Sequence, residues 1–373
     1  MIRLLFFFLI LTYILRAVEF ETTFENSNFT LSTPIDGNGE RTLVNYNRFR
    51  FIESVNEGNW FITAIGDIEN YLGEDYLNSA SYRSFSAVRS DTPFSTQTSA
   101  HDYGDGEVYA QLHRLYGGYV DEKHRLSLGL QKISMGVGRI WNPTDLFNPR
   151  NPLALEPDEV YGAFSLSYTY SPSDLSQISA VAAQRADDSF KYAGRIKGYL
   201  DVADVALDVI VADDVAMLGY ELEGELLSTG VELRSEGGWF EDKLLDEKFF
   251  QALVGADYSF ENALMLAGEW LHTSKTFEEE LALGLLCGAQ NNLVRSKDYL
   301  GSTLGYEFDA LLYGAMAGII SADDGSFYLA PTLSYSLDDD MTLALGAMLY
   351  AGESGSEFGD LGQTYYLNFK VTF

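Results

Sequence analysis

The chain has 373 residues, with 55 Asp and Glu against 24 Lys and Arg, for a formal net charge of −31. That acidic surplus argues against nucleic acid as a partner, because phosphate backbones are held by clustered Lys and Arg. A lone cysteine, Cys287, excludes a disulfide framework; 24 Tyr, 24 Phe and 34 Gly beside 8 Pro suit a β-rich chain.

The chain begins with a short cationic start, Met1-Ile-Arg3, and an apolar run from Leu4 to Leu15 broken only by Thr12. The run is about a dozen residues, where a spanning helix needs about 20. It reads as a secretory signal peptide, residues 1–17, with processing expected near Ala17. Leu15 and Arg16 fit a processing site poorly, so a retained anchor is the alternative. No later stretch reaches the length of a transmembrane helix, which leaves 18–373 as one expected domain.

From residue 21 onward the pattern is period-two alternation, the spacing of strands with one apolar and one polar face. The clearest strands are expected at 125–134, 160–170, 203–212, 249–260, 326–337 and 341–350, and at the terminal segment. Weaker ones fall near 21–33, 41–54, 58–70, 107–120, 175–186, 190–200, 216–227, 229–239, 263–273, 298–308 and 311–321. The total is about 18, with 16 as the alternative, an even number as expected for a transmembrane antiparallel up-and-down β-barrel. Every second connection is short: 55–57, 121–123, 171–174, 201–202, 228, 261–262, 309–310 and 338–340. The intervening connections include 71–106, 135–159, 240–248, 274–297 and 351–362. Short periplasmic turns opposite long extracellular loops are the asymmetry of an outer-membrane barrel. Leu281–Cys287 fits either a further strand or a packed loop.

Charges alternate with the apolar positions. Arg48 and Arg50, then Lys191, Arg195 and Lys197, share strand faces opposite apolar ones, as do Asp204 and Asp208. Glu221, Glu223, Glu225, Glu232, Arg234 and Glu236 continue the pattern. An Arg or Lys facing lipid at mid-depth costs about 2–4 kcal/mol, so these residues are expected to line a wet interior. There they either bias the passing solutes, with the acidic surplus leaning towards cations, or neutralise one another in salt-bridge ladders.

Residues 135–158 carry Pro143, Pro149, Pro152 and Pro157, too many for a strand ladder. This loop either folds inward as a constriction or caps the barrel outside. Its candidate constriction residues are Arg139, Trp141, Asn142, Asp145, Phe147 and Arg150. Asp102, Asp105 and Glu107 cluster oxygen donors beside glycines, so Ca²⁺ in an outer loop is weighed against an ordinary turn, which the spacing favours. No other cofactor or metal is expected. Asp323-Asp324-Gly325 reads as a hairpin turn. Four histidines, His101, His113, His124 and His272, form no ligand motif, so no enzyme is expected. A lipid-hydrolysing Ser–His site at His113 or His272 is the disfavoured enzyme reading.

The final segment alternates Tyr365, Leu367, Phe369, Val371 and Phe373 with mostly polar residues. It resembles the closing strand of bacterial outer-membrane β-barrels, whose terminal Phe belongs to the signal read by the assembly machinery. The stretch Gly129-Leu-Gln131 through Gly136-Val-Gly138-Arg139-Ile-Trp141-Asn-Pro to Pro149 resembles porin-like, alginate-export-like outer-membrane proteins. There a Gly-Arg-Gln strand leads to Trp-Gly and an Asn-Pro loop; this chain has Leu130 for the Arg and Met135 for the Trp. The resemblance covers about 30 residues and the barrel plan. It implies an outer-membrane channel and does not imply alginate. The expected function is passive diffusion of small hydrophilic solutes or ions across a membrane bearing lipopolysaccharide. The alternative is a plugged barrel whose acidic loops bind partners or divalent ions.

Overall fold

Alternation at period two builds a wall of strands that turns its aliphatic residues to one side. The computed structural model describes residues 18–35, 40–276 and 295–373. In chain order the strands are β1 (Glu19–Pro34), β2 (Arg41–Glu57), β3 (Trp60–Leu72), β4 (His101–Tyr103), β5 (Gly106–Val120) and β6 (His124–Gln131). Next come β7 (Ala163–Ser173), β8 (Ser176–Gln184), β9 (Phe190–Tyr199), β10 (Asp204–Val211), β11 (Val215–Glu225), β12 (Glu232–Asp242) and β13 (Glu247–Ser259). The last are β14 (Leu264–Thr273), β15 (Asp298–Glu307), β16 (Leu312–Ser321), β17 (Phe327–Asp338), β18 (Met341–Ala351) and β19 (Thr364–Thr372).

Neighbours along the chain pair antiparallel, except that β3 pairs directly with β5 and β4 is a short appendage on β5. The wall therefore has 18 strands. It closes where β19 pairs with β1, Ser27 opposite Lys370, and the amides of Phe24 and Phe373 exchange hydrogen bonds of 2.7 and 2.9 Å. Closure leaves no unpaired edge, the condition for a sheet to stand in hydrocarbon.

Sidedness follows the alternation. On β10, Leu207, Val209 and Val211 are exposed on the outer face, while Ala206, Asp208 and Ile210 are buried inside. The same outward aliphatic row recurs as Leu166 on β7, Ile196 on β9, Leu333 on β17 and Leu345 on β18. A closed barrel that is greasy outside and charged within is a membrane-spanning barrel.

The expected strands and short turns are present. The 240–248 connection is shorter than expected, because β12 and β13 run to Asp242 and from Glu247. The 71–106 connection carries β4 and two short helices, Glu74–Leu77 and Ala80–Ala87. Asp102, Asp105 and Glu107 belong to the β4–β5 hairpin, where Glu107 accepts from the Tyr82 hydroxyl at 2.7 Å. Among the described residues no three acidic or His side chains gather as a metal site. Residues 322–326 form the β16–β17 turn, with Gly325 at φ 74°. The signal segment 1–17 and the stretch Leu281–Cys287 lie outside the described residues.

Leu345→Arg, mid-strand on the outer face of β18, is expected to destabilise the protein in lipid by about 2–4 kcal/mol, and Thr342→Arg on the inner face far less. Urea unfolding in lipid vesicles measures both; equal losses would contradict the assigned sidedness.

Candidate functional site

β6 stops at Gln131, halfway up its neighbour β5, and the chain turns into the barrel as the loop 132–162. Of the two placements open for the proline-rich segment, the inward one is found. A loop inside a barrel must match its backbone N–H groups without water. Three inward carboxylates do this. Glu221 on β11 accepts from the Gly136 amide at 2.8 Å. Glu236 on β12 accepts from the amides of Val137, Gly138 and Thr144 and from the Thr144 hydroxyl. Glu269 on β14 accepts from the amides of Arg139 (2.6 Å), Ile140 (2.9 Å) and Trp141 (3.3 Å). A carboxylate has only acceptors, so it suits a run of converging donors, and charge strengthens each bond.

This close approach requires glycine. Gly136 has φ 86°, and a Cβ there would sit 2.5 Å from a Glu236 oxygen. At Gly138 a Cβ would overlap the Trp141 carbonyl oxygen. On the facing wall, a Cβ at Gly301 would meet Ile140 and Trp141 at 2.6 Å.

Apolar packing holds the rest of the loop. Trp141 is wholly buried with Ile140 against Leu253, Leu271, Tyr299 and Ile319, and Phe358 of the 352–363 loop joins the same cluster. Ile133, Met135, Leu146 and Phe147 pack on a second cluster with Ile210, Val215 and Phe240. Asn142 donates to the Gly138 carbonyl at 3.0 Å. Asp145 accepts from the amides of Phe147 and Asn148, and burial pushes its carboxyl up to about 6 against those bonds. Arg150 pairs with Asp158 at 2.8 Å.

The return limb of the loop is anchored by guanidinium forks. Arg48 on β2 makes two 2.8 Å bonds to Glu156, and Arg50 makes two of 2.9 Å to Glu159 while also gripping Asp67. Burial alone would push Glu159 up, but the bonds from Arg50 and the charges of Arg48, Arg50 and His113 together hold it at about 2. A bulge between β3 and β5 inserts His113, whose ring lies 3.4 Å from Glu159. Neither His113 nor His272, which contacts Asp298 at 2.8 Å, has a serine partner among the described residues.

Every charged side chain expected inside faces inward, and most are paired. Arg195 bonds Asp208 and Glu221; Lys197 bonds Asp204 at 3.0 Å; Arg234 bonds Asp257 and Glu269. Arg139 reaches Glu223 at 3.1 Å and Glu232 at 3.7 Å. Lys191 is buried beneath the loop, donating to the Leu146 carbonyl at 2.7 Å over the Phe147 ring. Glu225 sits at the far end of β11, accepting from the Gly230 amide in the turn. These are the lumenal ladders that the alternation allowed. Tyr365, Leu367, Phe369, Val371 and Phe373 form the outer face of β19 beside the closing seam.

Beside the first limb of the loop lies a cavity of about 340 Å³. Its polar lining is Arg114, Arg125, Lys132 and Arg195 with Ser127, Gln131, Ser167, Thr169 and Ser179. Arg195 is neutralised, but Arg114, Arg125 and Lys132 have no carboxylate within 4.0 Å among the described residues. Sequence reasoning missed Glu269, Glu156, Glu159 and this cationic trio as site residues, and it set Glu236 on the inner face without its loop partners. Glu269 was findable by parity, standing opposite Leu266 and Trp270.

Glu236→Ala is expected to free residues 136–144 at about 1–3 kcal/mol for each orphaned donor. Limited proteolysis of the folded barrel checks this: the variant is nicked in that segment and the parent resists. The anchor at Glu159, lowered from 4.5 to about 2, contributes fully above pH 4.5 and is lost as pH falls towards 2. Proteolysis of the return limb with an acid-active protease is therefore expected to rise across that window; Glu156, whose carboxyl burial pushes up, titrates ahead of it, so Glu159→Gln is expected to remove the part of the rise below pH 4.5.

No family model matches the chain, and no curated protein sequence matches it. Solved structures do. Pseudomonas aeruginosa OccK5 (OpdH) superposes with a TM-score of 0.64 at 10% identity, covering 95% of this chain and 98% of that one. Acinetobacter baumannii OccAB1 gives 0.62 at 9% identity over 95% and 96%. Pseudomonas aeruginosa OpdK, solved with vanillate, gives 0.59 at 9% identity over 95% and 98%. The fold of this chain is thus that of the Occ and Opd outer-membrane proteins, an 18-stranded porin-like barrel.

Proposed function

We propose that the chain is a porin-like channel of a bacterial outer membrane, through which small hydrophilic solutes diffuse passively past the inward loop, with anions favoured. On this reading the Tyr365–Phe373 strand is handed to the barrel assembly machinery and the outer rim meets lipopolysaccharide. The resemblance to alginate-export-like proteins supports the strand-to-loop plan at 129–149 and no polysaccharide substrate.

The cavity beside the loop carries the reading. Its three unneutralised cations stand among hydroxyls, an arrangement that lowers the energy of an anion in a confined, poorly screened space. The acidic surplus leans the other way, but the inner carboxylates are committed elsewhere. Glu221, Glu236 and Glu269 hold loop amides, and Glu156 and Glu159 hold Arg48 and Arg50. The OpdK structure contains vanillate, an aromatic carboxylate, which has the sign of charge this cavity would take.

Single-channel recording in a salt gradient tests the proposal. The reversal potential is expected to show anion preference, and Arg125→Ser with Lys132→Ser to shift it towards cations. Cation preference in the parent protein would contradict the anion assignment. Folded protein that neither conducts nor swells liposomes would instead support the plugged barrel.

A further inference from the structure

The outer face of β1, β2 and β3 departs from the rest of the wall. Where other strands present Leu, Val, Ile or Phe, it presents Asn26, Asn28, Asn45, Asn47 and Asn70. Their outward direction follows from strand parity: Ser27 and Phe29 on β1, and Arg48 and Arg50 on β2, are the buried inner positions between them. Their depth follows from register. Asn26 stands opposite Val371 and Asn28 opposite Phe369, between Phe373 towards one rim and Tyr365 towards the other. Asn28 faces Asn47 across β1–β2, and Asn47 faces Asn70 across β2–β3. The carboxamides of Asn26, Asn28, Asn45 and Asn47 are therefore contiguous and lie between the two rims, while Asn70, two residues from the end of β3, accepts from the Tyr103 hydroxyl. Among the described residues no other strand carries a carboxamide there.

Two reciprocal pairs satisfy part of this patch. Asn26 and Asn47 exchange bonds of 3.1 and 3.2 Å, and Asn28 and Asn45 exchange bonds of 3.1 and 2.9 Å. Each carboxamide has two N–H donors and two acceptor lone pairs. Asn28 and Asn47 each use one N–H in its pair, and the second has no partner among the described residues. Lipid tails offer neither donor nor acceptor, so such groups are satisfied only by protein.

We infer that this wall is the contact surface for a second copy of the same chain. A carboxamide is donor and acceptor at once and carries no net charge, so a patch of them complements itself. A rotation axis along the membrane normal brings like depths together, which matches amide to amide without any other polypeptide. Polar side chains bridging spans inside lipid are an established mode of association. The rim side of the patch adds an apolar anchor: Phe24 lies 5.9 Å from Phe49, 5.4 Å from Phe51 and 6.2 Å from Phe373, all on the outer face. The inference rests on the barrel standing in a membrane and is independent of the channel reading.

The test uses the full-length protein in outer membranes and in lipid nanodiscs. In a Cys287→Ser background, Asn47→Cys is expected to give a crosslinked homo-oligomer with a short bis-maleimide. Leu207→Cys, on the opposite wall at β10, is expected to give none. Replacing Asn26, Asn28, Asn45 and Asn47 together by Leu should lower the oligomer fraction roughly tenfold or more. Heat-modifiable migration reports that this variant has folded. Three results would overturn the inference: a monomer at every protein-to-lipid ratio, an oligomer undiminished in the Leu variant, or crosslinking of Asn47→Cys only to a different polypeptide. If the Leu variant does not fold, the comparison of Asn47→Cys with Leu207→Cys decides alone.

Discussion

A peptide chain that leaves a barrel wall and enters its interior gives up both ladder partners and bulk water. Every amide it carries must then find an acceptor, and here those of residues 136–141 and 144 find three carboxylates. Glu221, Glu236 and Glu269 project from β11, β12 and β14 at the level where the loop crosses. Buried carboxylates are themselves costly unless neutralised and bonded. Arg195 beside Glu221 and Arg234 beside Glu269 supply positive charge, and the amides supply the bonds. The wall and the loop are each incomplete without the other.

The consequence for solutes is a sorting of charge. The wall carboxylates Glu221, Glu236 and Glu269 are held by loop amides, and the loop carboxylates Glu156 and Glu159 by guanidinium forks from β2, so these five are committed to the anchor. Arg114, Arg125 and Lys132 are left over in the cavity. An acidic protein can thereby present a basic recess, because net charge describes the whole chain and selectivity depends on the groups a solute meets. The two limbs also differ in their response to conditions. The amide clamp depends on buried, poorly screened groups, whereas the fork at Arg50 loosens when Glu159 gains a proton.

The wall was legible in the sequence to within a few residues, because alternation in hydrocarbon is strict: a one-residue slip would turn Leu207 inward and Asp208 to lipid. The strand-to-turn parity was legible for the same reason. β4 was not, since three residues appended to β5 carry no periodic signal. Inward charges such as Arg195 and Glu221 were found by parity, but their partners were not. Pairing across strands depends on register, and Glu156 and Glu159, which Arg48 and Arg50 grip in the loop, lie more than a hundred positions away. The prolines at 143–157 announced an irregular loop without saying on which side of the wall it packs. The glycines at 136 and 138, which mark the contact with Glu236, acquire meaning only once that carboxylate is placed.

Amide hydrogen exchange in lipid-embedded protein tests the clamp most directly. If Glu221, Glu236 and Glu269 hold the loop as described, the amides of Gly136 to Trp141 and of Thr144 exchange as slowly as those of the neighbouring strands. Exchange of these amides at the rate of the exposed turn at 339–340, with the strands still protected, would contradict the account.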